Sequence, residues 1–66
     1  MKAVVRFKLD GKYRTKTVNV EKNEPNHIVR EFVKQAKVPK HTYVTSIKCG
    51  RYVYEWLAYV SEAFPY

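Results

Sequence analysis

The chain has 66 residues and one cysteine, which excludes a disulfide scaffold. It has no apolar run near the ~18 residues of a membrane span, which excludes a transmembrane helix. The length predicts a single domain over residues 1–66. The lone thiol indicates a reducing compartment, which is the cytoplasm, or the nucleus if the source has one. The net charge of +7 is uneven, because residues 1–51 carry all 13 lysines and arginines and four acids, a net +9, whereas residues 52–66 carry only Glu55 and Glu62, a net −2.

The first two elements form a predicted β-hairpin. Residues 3–9 alternate apolar and charged side chains over much of their length, and residues 13–20 are rich in strand formers. Asp10-Gly11 between them is a strong turn signal, since both residues tolerate positive φ. One register opposes Val5 to Val18 and Ala3 to Val20, and a slip of one residue opposes Arg6 to Lys16 and Lys8 to Arg14. We expect the first, because like charges directly opposed are unfavourable unless an anion lies between them.

Residues 24–37 have the period of an amphipathic helix. Asn23 is the predicted cap, and Pro25 suits the first turn. Val38-Pro39 ends the helix, because a residue before proline is pushed out of the α region. The helix has one apolar stripe, formed by Ile28, Val29, Phe32, Val33 and Ala36.

Two further strands are predicted, over residues 43–48 and 51–57, with a tight turn at Cys49-Gly50. The tail at residues 58–64 fits either a continued strand or a short helix. The predicted fold class is therefore α+β, a four-stranded sheet in the order ββαββ with one helix packed on one face.

This order of elements resembles the ubiquitin-like β-grasp fold over residues 2–55. The matching landmarks are Asp10-Gly11-Lys12, the helix at 24–37, Val38-Pro39 and Cys49-Gly50-Arg51. A simple antiparallel ββαββ sheet has the same order, so both arrangements stay open. Ubiquitin-like modifiers and sulfur carriers end in Gly-Gly, whereas this sequence ends Ala63-Phe64-Pro65-Tyr66, so the resemblance implies a binding scaffold rather than a carrier.

Three aromatic residues, Tyr52, Tyr54 and Trp56, alternate along the last predicted strand and therefore share one face. If the helix leaves that face uncovered, the rings form a stacking surface for bases beside the cations Lys48 and Arg51. The same rings would also suit a protein interface or a homodimer. The alternative is that they complete the small core.

Five cations lie on the first hairpin: Arg6, Lys8, Lys12, Arg14 and Lys16. A two-stranded basic ribbon can enter a major groove, and this cluster is the best candidate for an anion contact. Lysines on a sheet edge also prevent strand addition by other chains, and that interpretation has equal weight.

The helix face opposite the apolar stripe forms a basic ridge of His27, Arg30, Lys34 and Lys37. Arg30, Lys34 and Lys37 could position phosphates. A solvated outer face is the simpler interpretation, and Glu31 favours it because it can pair with Lys34 or Gln35.

No catalytic, metal or cofactor motif is recognised. His41 lies eight residues before Cys49, but no protease or phosphatase signature surrounds this cysteine. His27 and His41 are too few for a zinc site without further ligands. The six acidic residues are scattered singly, so no paired-carboxylate site is indicated. We expect a binding protein rather than an enzyme, with no cofactor.

Two functions follow from these patterns. The first is a nucleic-acid-binding accessory protein, for DNA or RNA, that holds phosphates on the basic hairpin and helix ridge. The second is a small regulator or inhibitor, of the kind that phages and mobile elements encode, that binds a larger cytoplasmic protein through the aromatic strand or by strand addition.

Overall fold

A computed structural model describes residues 1–65 and confirms the α+β class and the order ββαββ. The sheet consists of four strands, β1 (Lys2–Leu9), β2 (Lys12–Asn19), β3 (Tyr43–Cys49) and β4 (Tyr52–Tyr59), and the helix α1 (Pro25–Ala36) joins β2 to β3. The strand order is β2-β1-β3-β4, and all three pairings are antiparallel. Of the two arrangements that share this element order, the chain therefore adopts the simple antiparallel sheet.

The predicted turn at Asp10-Gly11 is a two-residue hairpin turn. Asp10 has φ 52° and Gly11 has φ 79°, and positive φ at both central residues defines the type I′ turn, whose twist matches that of the flanking strands. The turn makes Leu9 the partner of Lys12, and this pairing sets the register of the whole hairpin.

The register expected from apolar pairing was wrong by two residues. Ala3 pairs with Val18 and Val5 pairs with Lys16, whereas the prediction opposed Val5 to Val18 and Ala3 to Val20. The two-residue turn decides the register, and apolar matching does not. A slip of two preserves the faces of a strand, so Ala3, Val5 and Val18 still point to the core.

The helix begins one residue later and ends one residue earlier than predicted. Asn23 was expected to cap it, and that prediction was wrong. The cap residue is Glu24, which makes no side-chain cap hydrogen bond, and the Asn23 Oδ1 atom instead accepts a hydrogen bond of 2.9 Å from the Tyr54 hydroxyl. At the other end, Lys37 takes the left-handed conformation and donates its backbone N–H to the Val33 carbonyl.

The core lies between α1 and one face of the sheet. Phe32 is the largest fully buried side chain, and its ring centroid lies 4.9 Å from that of Phe7 on β1. The predicted helical stripe is confirmed, since four of its members are buried and the fifth, Ala36, packs against the core. One helix covers one face, so the opposite face of the sheet is uncovered within residues 1–65.

The tail contains both of the expected structures in succession. Strand β4 continues to Tyr59, and a 3₁₀ helix follows at Val60–Glu62. Val60 is fully buried and donates its backbone N–H to the Thr42 carbonyl at 3.0 Å. The Arg30 Nε donates to the Ala63 carbonyl at 2.9 Å, so the helix holds the chain that follows β4.

Strand β3 has a register shift with each of its neighbours, at the same level of the sheet. With β1 the shift lies between Arg6 and Phe7, and with β4 it lies between Val44 and Ser46. On β4 the extra residue, Leu57, has a φ of 47°, the left-handed conformation that occurs in one type of β-bulge. No helix within residues 1–65 is long and apolar enough to cross a membrane.

Candidate nucleic-acid interface

The predicted aromatic strand faces the helix. Tyr54 and Trp56 are half-buried and pack against the core. Tyr52 lies beside them at the end of β4, 56% exposed, with its ring stacked on Tyr54 at 6.5 Å. A stacking surface made by these three residues would need an uncovered face, and they do not lie on one. Tyr54 and Trp56 instead complete the core.

A different group of tyrosines lies on the uncovered face. The registers place Lys8 of β1 between Tyr13 of β2 and Tyr43 of β3, and Tyr43 beside Tyr59 of β4. We call this line of four residues across the sheet the tyrosine row. Alternation along each strand directs all four side chains away from the helix.

Cations and rings are close together in this row. The Tyr13 ring centroid lies 5.3 Å from the Arg6 guanidinium carbon and 5.5 Å from the Lys8 ammonium, which is within cation–π range. The Tyr43 and Tyr59 rings meet edge to face, with centroids 5.2 Å apart and an interplanar angle of 82°. Tyr13 is 59% and Tyr59 49% exposed, so a ligand can reach both.

A shallow depression of about 370 Å³ lies along the tyrosine row, within the size range of small-molecule sites. Its rim includes the first hairpin turn and His41, whose Nε2 lies 3.4 Å from the Asp10 Oδ1. Thr45, the bulged residue of β3, lines the same depression and donates its hydroxyl to the Arg6 carbonyl at 3.1 Å. The depression therefore combines ring surfaces with polar groups.

The uncovered face as a whole is basic and partly apolar. Its cations are Lys2, Arg6, Lys8 and Lys48, and its acid is Glu55, which pairs with Ser46 across the strands. Val53 is 64% and Leu57 59% exposed. The face thus has a positive charge excess beside exposed aromatic and aliphatic side chains.

The five cations of the hairpin do not form one surface. Arg6 and Lys8 lie on the uncovered face, whereas the pairing of Leu9, Phe7 and Val5 with β2 puts Lys12, Arg14 and Lys16 on the helix side of the sheet. Side chains alternate between faces along each strand, so a hairpin cannot present all five to one ligand surface. The predicted basic ribbon is divided in two.

The predicted helix ridge is partly engaged within the protein. The Lys34 ammonium lies 3.4 Å from the Glu31 Oε2, and the Gln35 amide donates to the Glu31 Oε1 at 3.4 Å, so both predicted pairings of Glu31 are confirmed. The His27 Nε2 accepts the Glu21 backbone N–H at 3.3 Å. With Arg30 bound to the tail, this ridge resembles a solvated outer face.

The remaining predicted site residues lie apart from the ridge. Lys48 is on the uncovered face opposite Val4 and Val53, and Arg51 is in the turn between β3 and β4, after Gly50. Cys49 is 3% exposed, and its Sγ lies 3.6 Å from the Met1 Sδ, as expected for a core cysteine. No group of three or more histidine, cysteine, aspartate or glutamate residues that could hold a metal occurs within residues 1–65.

No protein-family model, curated protein or solved structure matches this chain. The geometry and charge of the uncovered face are therefore the features from which a function can be inferred.

Proposed function

We propose that the protein binds single-stranded nucleic acid on the uncovered face of its sheet. The observation that carries this proposal is the tyrosine row, in which the exposed Tyr13 ring has two cations within 5.5 Å of its centroid. Bases stack on such rings with about 1–3 kcal/mol each, and the neighbouring cations bind phosphates.

A single strand suits this face better than a duplex does. The faces of the bases are stacked on one another inside a duplex, whereas an open strand can lay them on aromatic side chains. The tyrosine row crosses all four strands of the sheet, so bases of one strand can be arranged along it. DNA and RNA both supply these groups, and the 2′-hydroxyl distinguishes them.

We also propose that the protein acts by binding alone, as a cytoplasmic accessory protein. The Cys49 thiol is buried next to Met1 at the end of β3, whereas His41 lies before the start of β3. Cys49 and His41 therefore cannot act together as nucleophile and base. The His41–Asp10 pair lies beside the tyrosine row and there suits hydrogen bonding to a bound strand.

The direct test is fluorescence anisotropy with labelled oligo(dT) and oligo(U) of about ten nucleotides, beside a duplex of the same length. Tyr13→Ala should weaken single-strand binding about fivefold to a hundredfold. Tyr52→Ala is the matched control, because Tyr52 is equally exposed but lies on the helix side. Equal losses in both variants, or no binding by the wild type at low salt, would reject the proposal.

A second candidate function is a protein-interaction module, and one observation favours it. Leu57 is 59% exposed and lies in the β4 bulge with a positive φ, and the exposed Val53 lies on the same face. A small regulator could use this aliphatic area as an interface anchor. A complex that survives high salt and nuclease, and that Leu57→Ser with Val53→Ser abolishes, would favour this function over the first.

A further inference from the structure

The outer edge of β2 is an unoccupied hydrogen-bonding edge. Met1 and Val20 exchange both backbone hydrogen bonds, at 3.0 and 2.8 Å. In an antiparallel pair, bonded and non-bonded pairs alternate, so every second residue of β2 after that directs its N–H and C=O away from β1. Those residues are Asn19, Thr17, Thr15 and Tyr13, and within residues 1–65 no strand lies beyond this edge.

The helix already supplies a strand-like partner at one end of this edge. The Asn19 N–H donates to the Gln35 Oε1 at 3.1 Å, and the Gln35 Nε2 donates to the Asn19 carbonyl at 2.7 Å. A neighbouring strand would make the same two bonds with its backbone amides. The edge is thus satisfied at Asn19 and remains open at Thr17, Thr15 and Tyr13.

Cations flank the open part of the edge. Lys12, Arg14 and Lys16 are exposed on the helix side. Next to Arg14 and Lys16, where α1 ends, is an apolar groove of about 540 Å³ over Phe7, Leu9 and Ala36. The groove can therefore take side chains that a strand added beside this part of β2 directs to the helix side.

We propose that this edge binds an extended acidic peptide segment of a partner protein by strand addition. The segment makes backbone hydrogen bonds to Tyr13, Thr15 and Thr17, and its carboxylates at alternate positions lie opposite Lys12, Arg14 and Lys16. Opposite charges across a strand pair stabilise the pairing, and alternate side chains give the specificity of such additions.

The same cations select against a second copy of the chain. Two β2 edges paired with each other would place lysines and arginines opposite one another, which is unfavourable. Edge lysines protect against indiscriminate pairing, but they favour a strand that carries the opposite charge. The site shares only the backbone of Tyr13 with the tyrosine row, because its side-chain contacts lie on the helix side of the sheet. Its test therefore does not depend on nucleic-acid binding.

The probe is a synthetic peptide that alternates glutamate with threonine, and the control is a peptide of the same composition with its glutamates contiguous. Backbone amide hydrogen exchange is followed by NMR. The alternating peptide should slow exchange at Tyr13, Thr15 and Thr17 and leave the N–H groups of Arg14 and Lys16, which already bond to β1, unchanged. The control should bind at least tenfold more weakly.

Two variants locate the contact. Arg14→Glu with Lys16→Glu should transfer the preference to a peptide that alternates lysine with threonine. Thr15→Pro removes one outward N–H without breaking a bond to β1, and it should abolish protection by the acidic peptide. Where the proline variant fails to fold, the charge reversal decides.

Three results would overturn the proposal. The first is the absence of protection at Tyr13, Thr15 and Thr17 at saturating peptide. The second is equal binding of the alternating and contiguous peptides. The third is oligo(dT) binding at Lys12, Arg14 and Lys16 without any peptide binding, which would assign these cations to phosphates.

Discussion

The two faces of the sheet use the same residue types for different purposes. On the helix side, Tyr54 and Trp56 are half-buried against the core, and the Tyr54 hydroxyl bonds to Asn23. On the uncovered side, Tyr13 and Tyr59 are about half exposed, and the Tyr13 ring lies beside the Arg6 and Lys8 side chains. The comparison shows that strand register and helix position, and not aromatic content, decide which rings are available to a ligand.

Because one face packs the core and the other is open to a ligand, substitutions on the two faces should have separable effects. Changes on the helix side should lower the free energy of unfolding and leave ligand affinity intact in the folded fraction. Changes on the uncovered side should lower ligand affinity and leave the free energy of unfolding nearly unchanged, since exposed positions contribute little to stability.

The largest effect is expected for Phe32→Ala. Phe32 is fully buried against Phe7, and removal of such a ring costs about 3–5 kcal/mol in stability. In a domain this small, that loss should unfold much of the protein, as urea denaturation followed by circular dichroism can measure. A loss below about 1 kcal/mol would show that the helix does not cover this face as described.

Tyr59→Ala should have a large effect on the other face. The ring is 49% exposed, so we expect oligo(dT) affinity to fall by about 1–3 kcal/mol in anisotropy titrations. Stability should fall by no more than about 1.5 kcal/mol, the value of its edge-to-face contact with Tyr43. An unchanged affinity would remove Tyr59 from the interface.

The cations of the uncovered face should set the salt dependence of binding. Each phosphate contact contributes about −0.7 to the slope of log K against log salt for single strands. Arg6→Gln with Lys8→Gln should therefore make the slope shallower by about 1.4. The matched control is Lys34→Gln with Lys37→Gln, which removes the same charge from the helix. Equal changes in both pairs would indicate that net charge, and not this face, governs binding.

The smallest effect is expected for Tyr54→Phe. The variant loses the hydroxyl that donates to the Asn23 Oδ1 at 2.9 Å, and a hydrogen bond of this kind contributes about 0.5–1.5 kcal/mol to stability. Urea denaturation should detect that loss, and oligo(dT) affinity of the folded protein should not change. A weakened affinity would mean that the aromatic strand contributes to binding after all.

Local patterns predicted the elements well. The period of α1, its buried stripe and the Asp10-Gly11 turn are properties of neighbouring residues, and all three are confirmed. The register was missed because apolar matching was given more weight than the two-residue turn, which makes Leu9 the partner of Lys12. A two-residue turn at Asp10-Gly11 also pairs Lys8 with Tyr13, so that contact could have been predicted from the sequence.

The candidate site depended on long-range geometry. The pairing of Tyr43 with Lys8 requires the bulge in β3, and its pairing with Tyr59 requires the bulge in β4. No local signal marks the extra residue at Leu57. The face that the helix covers follows from the packing of the whole chain. The outward N–H groups of β2 likewise depend on which pairs are hydrogen-bonded, and that depends on the register.

The central claim is that the uncovered face, and not the helix side, binds single-stranded nucleic acid. The most direct measurement is an NMR titration with oligo(dT) that follows methyl resonances on the two sides. We expect saturable shifts for Val4, Val53 and Leu57, which lie on the uncovered face, and none for Val29 and Val33 on the buried side of α1. Shifts confined to the helix side, or no shifts at low salt, would contradict it.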